Sequence, residues 1–203
     1  MSESSLPALR RTLRQRRRAL DTRTQRRHTR ALVRHLGREL RVLRAQRIAL
    51  YWPSDGEPDL RPLIKSLRGR GHRFYLPVLR RPALRHGSRL WFVSHQSRRR
   101  MCRNRYRIPE PCARGRAIRP VKHLDLLLVP LVGFDADCHR IGMGGGFYDR
   151  ALAYLQRRRH WYRPRLYGIA HDCQRLEHIA PRPWDVVLDA VFTERGCYRR
   201  PHR

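Results

Sequence analysis

The residues of this chain best equipped for chemistry are eleven in a row, Arg140 to Arg150, reading RIGMGGGFYDR. Gly142, Gly144, Gly145 and Gly146 leave a stretch of backbone almost bare of side chains. Glycine reaches positive φ without steric cost and lets a ligand come close to the main chain. Phe147, Tyr148 and Asp149 follow at once, and Ala151, Leu152, Tyr154 and Leu155 then recur at helical spacing. A bare loop running into a helix start offers free N–H groups and the positive end of the helix dipole, an arrangement that holds phosphate. A tight turn that needs glycine for shape alone is the competing reading. The flanking Arg140, Tyr148, Asp149 and Arg150 favour the phosphate site.

The loop matches neither common phosphate motif. It lacks the Gly-Lys-Ser/Thr ending of a P-loop. It also fails the dinucleotide fingerprint, because Phe147 stands where the third glycine belongs and the glycines begin ten residues after Val132.

The elements that must position this loop are legible from periodicity. Leu6, Leu9, Leu13 and Leu20 mark a first, very basic helix, and Thr22 with Gln25 forms a capping box for a second through Leu32, Leu36, Leu40 and Leu43. Strands are expected at Arg47 to Pro53, His72 to Leu79 and Arg89 to Ser94, with a short helix from Asp59 to Leu67 and a loop from Arg80 to Ser88. Residues 96–123 show little periodicity and are read as irregular. Leu124 to Val132 is the most apolar strand and should be central, buried on both faces. Arg165 to Ala170 and Ala190 to Thr193 read as two further strands. Alternating strands and helices predict an α/β fold: a central mostly parallel or mixed sheet flanked by helices as a three-layer sandwich, with basic N-terminal helices.

Composition sets bounds. The 203 residues fit one domain spanning 1–203. No apolar run exceeds Leu126 to Phe134, which contains Pro130, so no membrane span is expected. The Arg-rich first thirty residues could belong to a transit peptide, but a helix explains them better. Five cysteines, Cys102, Cys112, Cys138, Cys173 and Cys197, show no C-x-x-C pair and fit reduced thiols in a cytoplasm. The net charge of +31 points toward polyanions, with runs at Arg16–Arg18, Arg98–Arg100 and Arg157–Arg159. Only Lys65 and Lys122 are lysines among 47 basic residues, and the arginines fill helices, loops and termini alike. Non-specific polyanion binding at low salt is expected from charge alone.

Taken in order, the segments ALYWPSDGEPDLRPLI, YLPV, IPEP, DLLLVPLVGFD, GMGGGFYDR, GIAHDCQ and LDAVFT resemble the 5-formyltetrahydrofolate cyclo-ligases across nearly the whole chain. The resemblance implies ATP-dependent closure of 5-formyltetrahydrofolate to 5,10-methenyltetrahydrofolate with release of ADP and phosphate. It implies ATP contacts at Arg10, Arg11 and Arg14 and at Arg140, Ile141, Gly142, Met143, Gly144, Gly145, Gly146, Phe147 and Tyr148. Folate contacts fall on Trp52, Glu57 and the loop from Met143 to Phe147 (Gly144, Gly145 and Gly146 included), and Mg²⁺ ligands on Asp149 and Asp189, with Asp185 close by in sequence. Arg140 would meet charge on the transferred phosphoryl group, and Tyr148 is paired with it as a catalytic candidate. His171 is a further polar candidate without an assigned role. A monomer is expected, acting on 5-formyltetrahydrofolate with polyglutamylated forms among its substrates. Two other classes stay open: a non-catalytic folate or nucleotide binder on the same fold, and a basic nucleic-acid-binding protein.

Overall fold

A computed structural model describes residues 5–80, 89–95, 100–112, 117–156 and 164–200. Of the loop expected from Arg80 to Ser88, Arg80 instead ends a strand and 81–88 lie outside the described residues, as do 98–99 of the run Arg98–Arg100 and the whole run 157–159.

The centre of the molecule is a strand made of the most apolar run. The strands are β1 (Arg47–Ala49), β2 (Arg73–Arg80), β3 (Arg89–Ser94), β4 (Met101–Arg103), β5 (Pro109–Pro111), β6 (Ile118–Arg119), β7 (Leu126–Pro130), β8 (Gly133–Phe134), β9 (Arg140–Ile141), β10 (Arg165–Ile169), β11 (Ala190–Phe192) and β12 (Cys197–Arg199). Eight of them form one sheet in the order β12-β11-β10-β7-β1-β2-β3-β6. The five middle strands run parallel, β12 and β3 pair antiparallel to them, and β6 pairs antiparallel to β3. Parallel strands need cover on both faces, and side chains alternate between those faces. Leu126 and Leu128 accordingly join one core with Leu32, Leu36 and Leu40, while Leu127 and Val129 join the other with Leu152.

Four helices supply the cover. They are α1 (Ser5–Arg18), α2 (Thr22–Leu43), α3 (Arg61–Ser66) and α4 (Phe147–Gln156). α2 and α3 pack on one face and α4 on the other, completing the expected sandwich. α1 packs Leu13 against Val132, Ile141 and Ile179, beyond the carboxyl ends of the parallel strands. It stops before Leu20, which the leucine stripe had included.

Several boundaries differ from the sequence reading. Asp21, not Thr22, caps α2, its side chain accepting from the Thr24 N–H at 2.9 Å. An ionised carboxylate is the stronger acceptor for that orphan N–H. Gln25 instead donates to the Leu20 carbonyl at 3.0 Å. The segment read as irregular holds the β4–β5 hairpin and β6. Cys102 and Cys112 form a disulfide there, with Cα atoms 5.3 Å apart, which corrects the expectation that all five thiols are reduced. Antiparallel pairing sets Cys102 opposite Glu110, and Cys112, just past β5 and bonded through its N–H to the Arg100 carbonyl, lies diagonally across from it. Cys138, Cys173 and Cys197 are free thiols.

Candidate active site at the carboxyl ends of the strands

The glycine loop leaves β9 and enters α4, so the predicted helix start is present. Gly144 has φ +94° and Gly146 φ +60°, the left-handed region that favours glycine. Met143, Gly144 and Gly145 are exposed, whereas Ile141 is buried beneath them. Arg10 reaches the loop from α1, its Nε donating to the Gly142 carbonyl at 2.9 Å. Arg150, one turn into α4, donates to the Gly145 carbonyl at 2.8 Å and stacks over Phe147 at 5.3 Å. Tyr106, from the hairpin turn, meets Phe147 edge-on at 5.9 Å, and Arg105 lies over both rings. Two elements distant in sequence, α1 and the β4–β5 turn, thus join α4 on one stretch of bare backbone.

A second loop, between β1 and α3, faces α1. Asp55 has φ +52° and its carboxylate takes three arginines from one helix. Arg14 Nε and Arg17 Nη2 each lie 2.7 Å from its Oδ2, and Arg18 pairs with Oδ1. Arg17 is fully buried, and it also donates to the Asp55 carbonyl at 2.7 Å and to the Leu131 carbonyl at 3.0 Å. α1 therefore bridges the two loops, Arg10 holding one and Arg14 with Arg17 holding the other. Arg11 is exposed.

Burial by itself would push the Asp55 carboxyl up, but hydrogen bonds from Arg14, Arg17 and Arg18 outweigh it and bring its pKa down to about 2. The depressed value sets the sign of a prediction. The cluster's stability is present above the ordinary carboxylate range and is lost as pH falls through about 2. Asp55→Asn keeps the backbone conformation open and removes the charge opposite a buried arginine. It should cost about 3 kcal/mol at neutral pH, near the low end for breaking a buried pair because Arg14 and Arg18 are partly solvated. Urea unfolding at pH 7 and at pH 3 to 2 checks it. The gap between variant and parent should close on acidification.

Glu57 lies two residues beyond Asp55, its side chain 9% exposed and 3.9 Å from Arg17. It accepts from the Ser54 N–H at 3.1 Å and from the Ser54 hydroxyl at 3.3 Å. Burial raises its pKa, with Arg17 opposing. Tyr148 lies within electrostatic reach of it: burial first, then the Glu57 carboxylate, hold the phenol proton well above its ordinary pKa, with Arg140 opposing. Glu57 and Tyr148, 91 residues apart in sequence, are thus close enough in the fold to influence each other's charge. A cavity of about 480 Å³ opens on the Glu57 turn from the α2 side, between Gln25, Thr29, Ser54, Arg61 and His171. His171 is buried and its Nε2 lies 3.2 Å from the Gly56 carbonyl. Burial, and then neighbouring His28, lower its pKa to about 4, so it is neutral at physiological pH.

Three predicted residues sit differently from their expected roles. Arg140 has its guanidinium committed to the Val186 carbonyl and the Asp149 carboxylate, and is 6% exposed. Trp52 packs on the edge of the α2–α3 core with Arg61 over its ring at 5.4 Å, and does not line the cavity. Asp189 accepts from the Leu166 N–H at 2.7 Å, level with Leu127 at the start of the central strands, whereas the glycine loop follows their ends. Burial raises its pKa. The structure therefore does not bring Asp189 beside Asp149, which heads α4 with its side chain 36% exposed. Asp185 is tied to the Arg182 N–H at 2.9 Å in its own turn.

The sequence reading singled out Arg150 beside the loop but passed over Arg17, Asp55, Arg105 and Tyr106. Among so many arginines no spacing marks the buried one, but an acid in the Ser-Asp-Gly-Glu turn of so basic a chain was a usable signal.

The site's parts thus combine a glycine loop at a helix start with a buried carboxylate on a turn held by the same helix, α1. The model of the 5-formyltetrahydrofolate cyclo-ligase family matches residues 2–194. The chain belongs to this family. The 5-formyltetrahydrofolate cyclo-ligase of Escherichia coli is 39% identical over 181 residues, covering 89% of this chain and 96% of that protein. That of Haemophilus influenzae is 40% identical over 144 residues, covering 71% and 73%. Among solved structures, the 5,10-methenyltetrahydrofolate synthetase of Aquifex aeolicus superposes with a TM-score of 0.79 at 25% identity, covering 98% of this chain and 95% of that one. The chain is thus an enzyme of the cyclo-ligase type, and its sheet order and helix cover are those of a methenyltetrahydrofolate synthetase fold. Among the described residues no helix is long and apolar enough to cross a membrane.

Proposed function

We propose that this enzyme uses ATP and Mg²⁺ to close 5-formyltetrahydrofolate to 5,10-methenyltetrahydrofolate, releasing ADP and phosphate. The observation that carries the reading is the convergence of Arg10, Arg150 and the α4 start on the glycine loop, with α1 tying that loop to the turn that carries Glu57. A phosphate site and a buried carboxylate are thereby held next to each other.

The chemistry explains the need for a nucleotide. The formyl group on N5 is an amide whose oxygen is a poor leaving group. Transfer of the γ-phosphoryl group to that oxygen gives an activated imidate. N10 attacks its carbon, the ring closes, and the former formyl oxygen departs with phosphate. No side-chain nucleophile is required, so the protein's work is positioning and charge neutralisation.

Each residue then has a definite task. The exposed N–H groups of the loop receive phosphate oxygens, and Arg10 and Arg150, anchored on its carbonyls, add positive charge beside them. Glu57 accepts two hydrogen bonds from the amino and ring N–H groups of the pterin. Tyr148, kept protonated, is a neutral hydroxyl donor between the two substrates. Arg140 fixes Asp149 and the turn at Val186. It orients the acid, and direct contact with the phosphoryl group would require it to leave both partners.

Magnesium takes few carboxylates and several waters and phosphate oxygens, so Asp149, half-exposed at the loop's exit, fits as its single protein ligand. Bound there, the ion would neutralise charge on the phosphates. Asp149→Asn should lower activity mainly by raising the Mg-ATP concentration needed, with thermal stability retained. A titration of activity against Mg²⁺ checks this, and recovery at high Mg²⁺ is the expected outcome. Polyglutamylated folates, acidic and met by a chain of net charge +31, are included in the proposed substrate class. A cytoplasmic monomer is the proposed setting.

The testing experiment is the absorbance change on mixing enzyme, Mg-ATP and 5-formyltetrahydrofolate, repeated without ATP. Product formed equally without nucleotide would sink the reading. Tight RNA binding at 0.3 M salt without turnover would put the nucleic-acid reading in its place.

A further inference from the structure

Behind the cavity wall three side chains from three separate elements point at one another. His28 comes from α2, His171 from the turn after β10, and Glu194 from the turn after β11. His28 Nδ1 lies 3.1 Å from His171 Nδ1 and 3.5 Å from Glu194 Oε1, and the three ligand atoms all fall within 4.8 Å of one another. We propose that His28, His171 and Glu194 form a binding site for a divalent transition metal of the zinc type, distinct from the nucleotide site.

The donors are already oriented as ligands. The Gly56 carbonyl can only accept, so the contact at 3.2 Å places the His171 proton on Nε2 and leaves the Nδ1 lone pair facing His28. The Asp172 N–H donates to Glu194 Oε2 at 3.0 Å and turns the other carboxylate oxygen toward the two rings. Metal-binding histidines and carboxylates are held in this way, each by a hydrogen bond from its far side. Two imidazole lone pairs cannot face each other without a proton or a cation between them. A proton on His28 Nδ1 satisfies His171, yet leaves Glu194 Oε1 beyond good hydrogen-bond range at 3.5 Å. A single cation satisfies all three. Zinc bonds of about 2.0–2.1 Å in a tetrahedron separate neighbouring ligand atoms by about 3.3 Å, between the two spacings that His28 makes, and an ion would draw Glu194 Oε1 in toward His171 Nδ1 from its place within 4.8 Å. Water would be the fourth ligand.

The other cluster of candidate ligands, Asp135, Asp137 and His178, is built differently. Asp135 already accepts from the His139 ring at 2.9 Å and from the His139 and Ile179 N–H groups, so its oxygens are spent on the local turn. The His28 site ties α2 to the turns following two parallel strands, and His171 forms part of the cavity wall, so an ion there would brace that wall.

The test uses the full chain without a histidine tag, stripped by chelator and dialysed. Zinc binding is measured by calorimetry, and Co²⁺ is titrated as a spectroscopic probe. One Zn²⁺ per chain is expected, with a rise in melting temperature, and Co²⁺ should give the intense visible bands of a tetrahedral site. His28→Ala and Glu194→Gln should each weaken zinc binding by about 100-fold, the upper end of what loss of even an outer-shell partner costs. Glu194→Gln is nearly isosteric and carries the comparison should His28→Ala fold poorly; circular dichroism of the metal-free forms checks both. Equal zinc affinity and stoichiometry in parent and variants, or no zinc retained by the parent, would overturn the proposal and leave only a hydrogen-bonded histidine pair.

Discussion

Gly144→Val is expected to lower turnover on the order of 100-fold while the ligand-free melting temperature stays near that of the parent. Gly144 has φ +94°, where a β-branched residue is a steric outlier. Room for the side chain is not the difficulty: a Cβ would meet the Arg10 guanidinium at 3.6 Å, an ordinary contact. The backbone must rotate instead, moving the N–H groups that face the phosphates and disturbing the Arg10 contact on Gly142. The loop is exposed and gives the core only Ile141 at its root, so the fold should persist. ATP should no longer raise the melting temperature. Gly145 differs, because its φ is not positive, yet a Cβ there would lie 2.8 Å from the Phe147 ring. Gly145→Val therefore acts by displacing Phe147 and the Tyr106 contact on it. A Gly144→Val enzyme with parental turnover and parental ATP stabilisation would show that the glycine serves only the turn.

Glu57→Gln should reduce kcat/KM for the folate by about 10- to 100-fold and leave the KM for ATP unchanged. A hydrogen bond to a charged group contributes about 1.5–3 kcal/mol, and each 1.4 kcal/mol is tenfold. Glutamine puts an NH₂ where a second acceptor is needed, so one pterin contact is lost. Stability should move the other way. A carboxyl whose pKa is raised by burial stabilises the fold most when protonated, and that contribution fades as pH rises through its folded value. At pH 7 the neutral amide is therefore expected to be as stable as the parent or slightly more so. The acid limb of the parent's kcat/KM profile should lie above the ordinary glutamate range and vanish in the variant. Steady-state kinetics across pH, with urea unfolding alongside, measures both effects.

How far such features could be read from sequence depends on which physics sets them. β7 and α2 were legible because burial writes its own period: Leu126 to Pro130 is apolar throughout, and Leu32, Leu36 and Leu40 repeat every helical turn. The α4 start was legible because glycines followed by Phe-Tyr-Asp leave few alternatives. The β4–β5 hairpin was not, since each strand is only three residues long and β5 is Pro-Glu-Pro, a poor strand former. Two-residue strands such as β8 and β9 are too short to carry a period at all.

The site was half legible for a related reason. Spacing along one element predicts a shared face, and α1 does present Arg10 and Arg14 together. Which loop each arginine meets depends on packing around Leu13, and spacing says nothing of it. Arg17 looks like its neighbours Arg16 and Arg18 in sequence but is wholly enclosed. Asp149 and Asp189 look like equivalent acids until the sheet register puts Asp189 at the opposite end of the strands from the loop.

The proposed reaction turns on one event, transfer of a phosphoryl group to the formyl oxygen at the glycine loop. The direct measurement places a heavy-oxygen label in the formyl group of 5-formyltetrahydrofolate and follows it by mass spectrometry through turnover with Mg-ATP. Each phosphate released is expected to carry that oxygen, one phosphate for each methenyltetrahydrofolate formed. Label lost to water, with unlabelled phosphate or none, would contradict it.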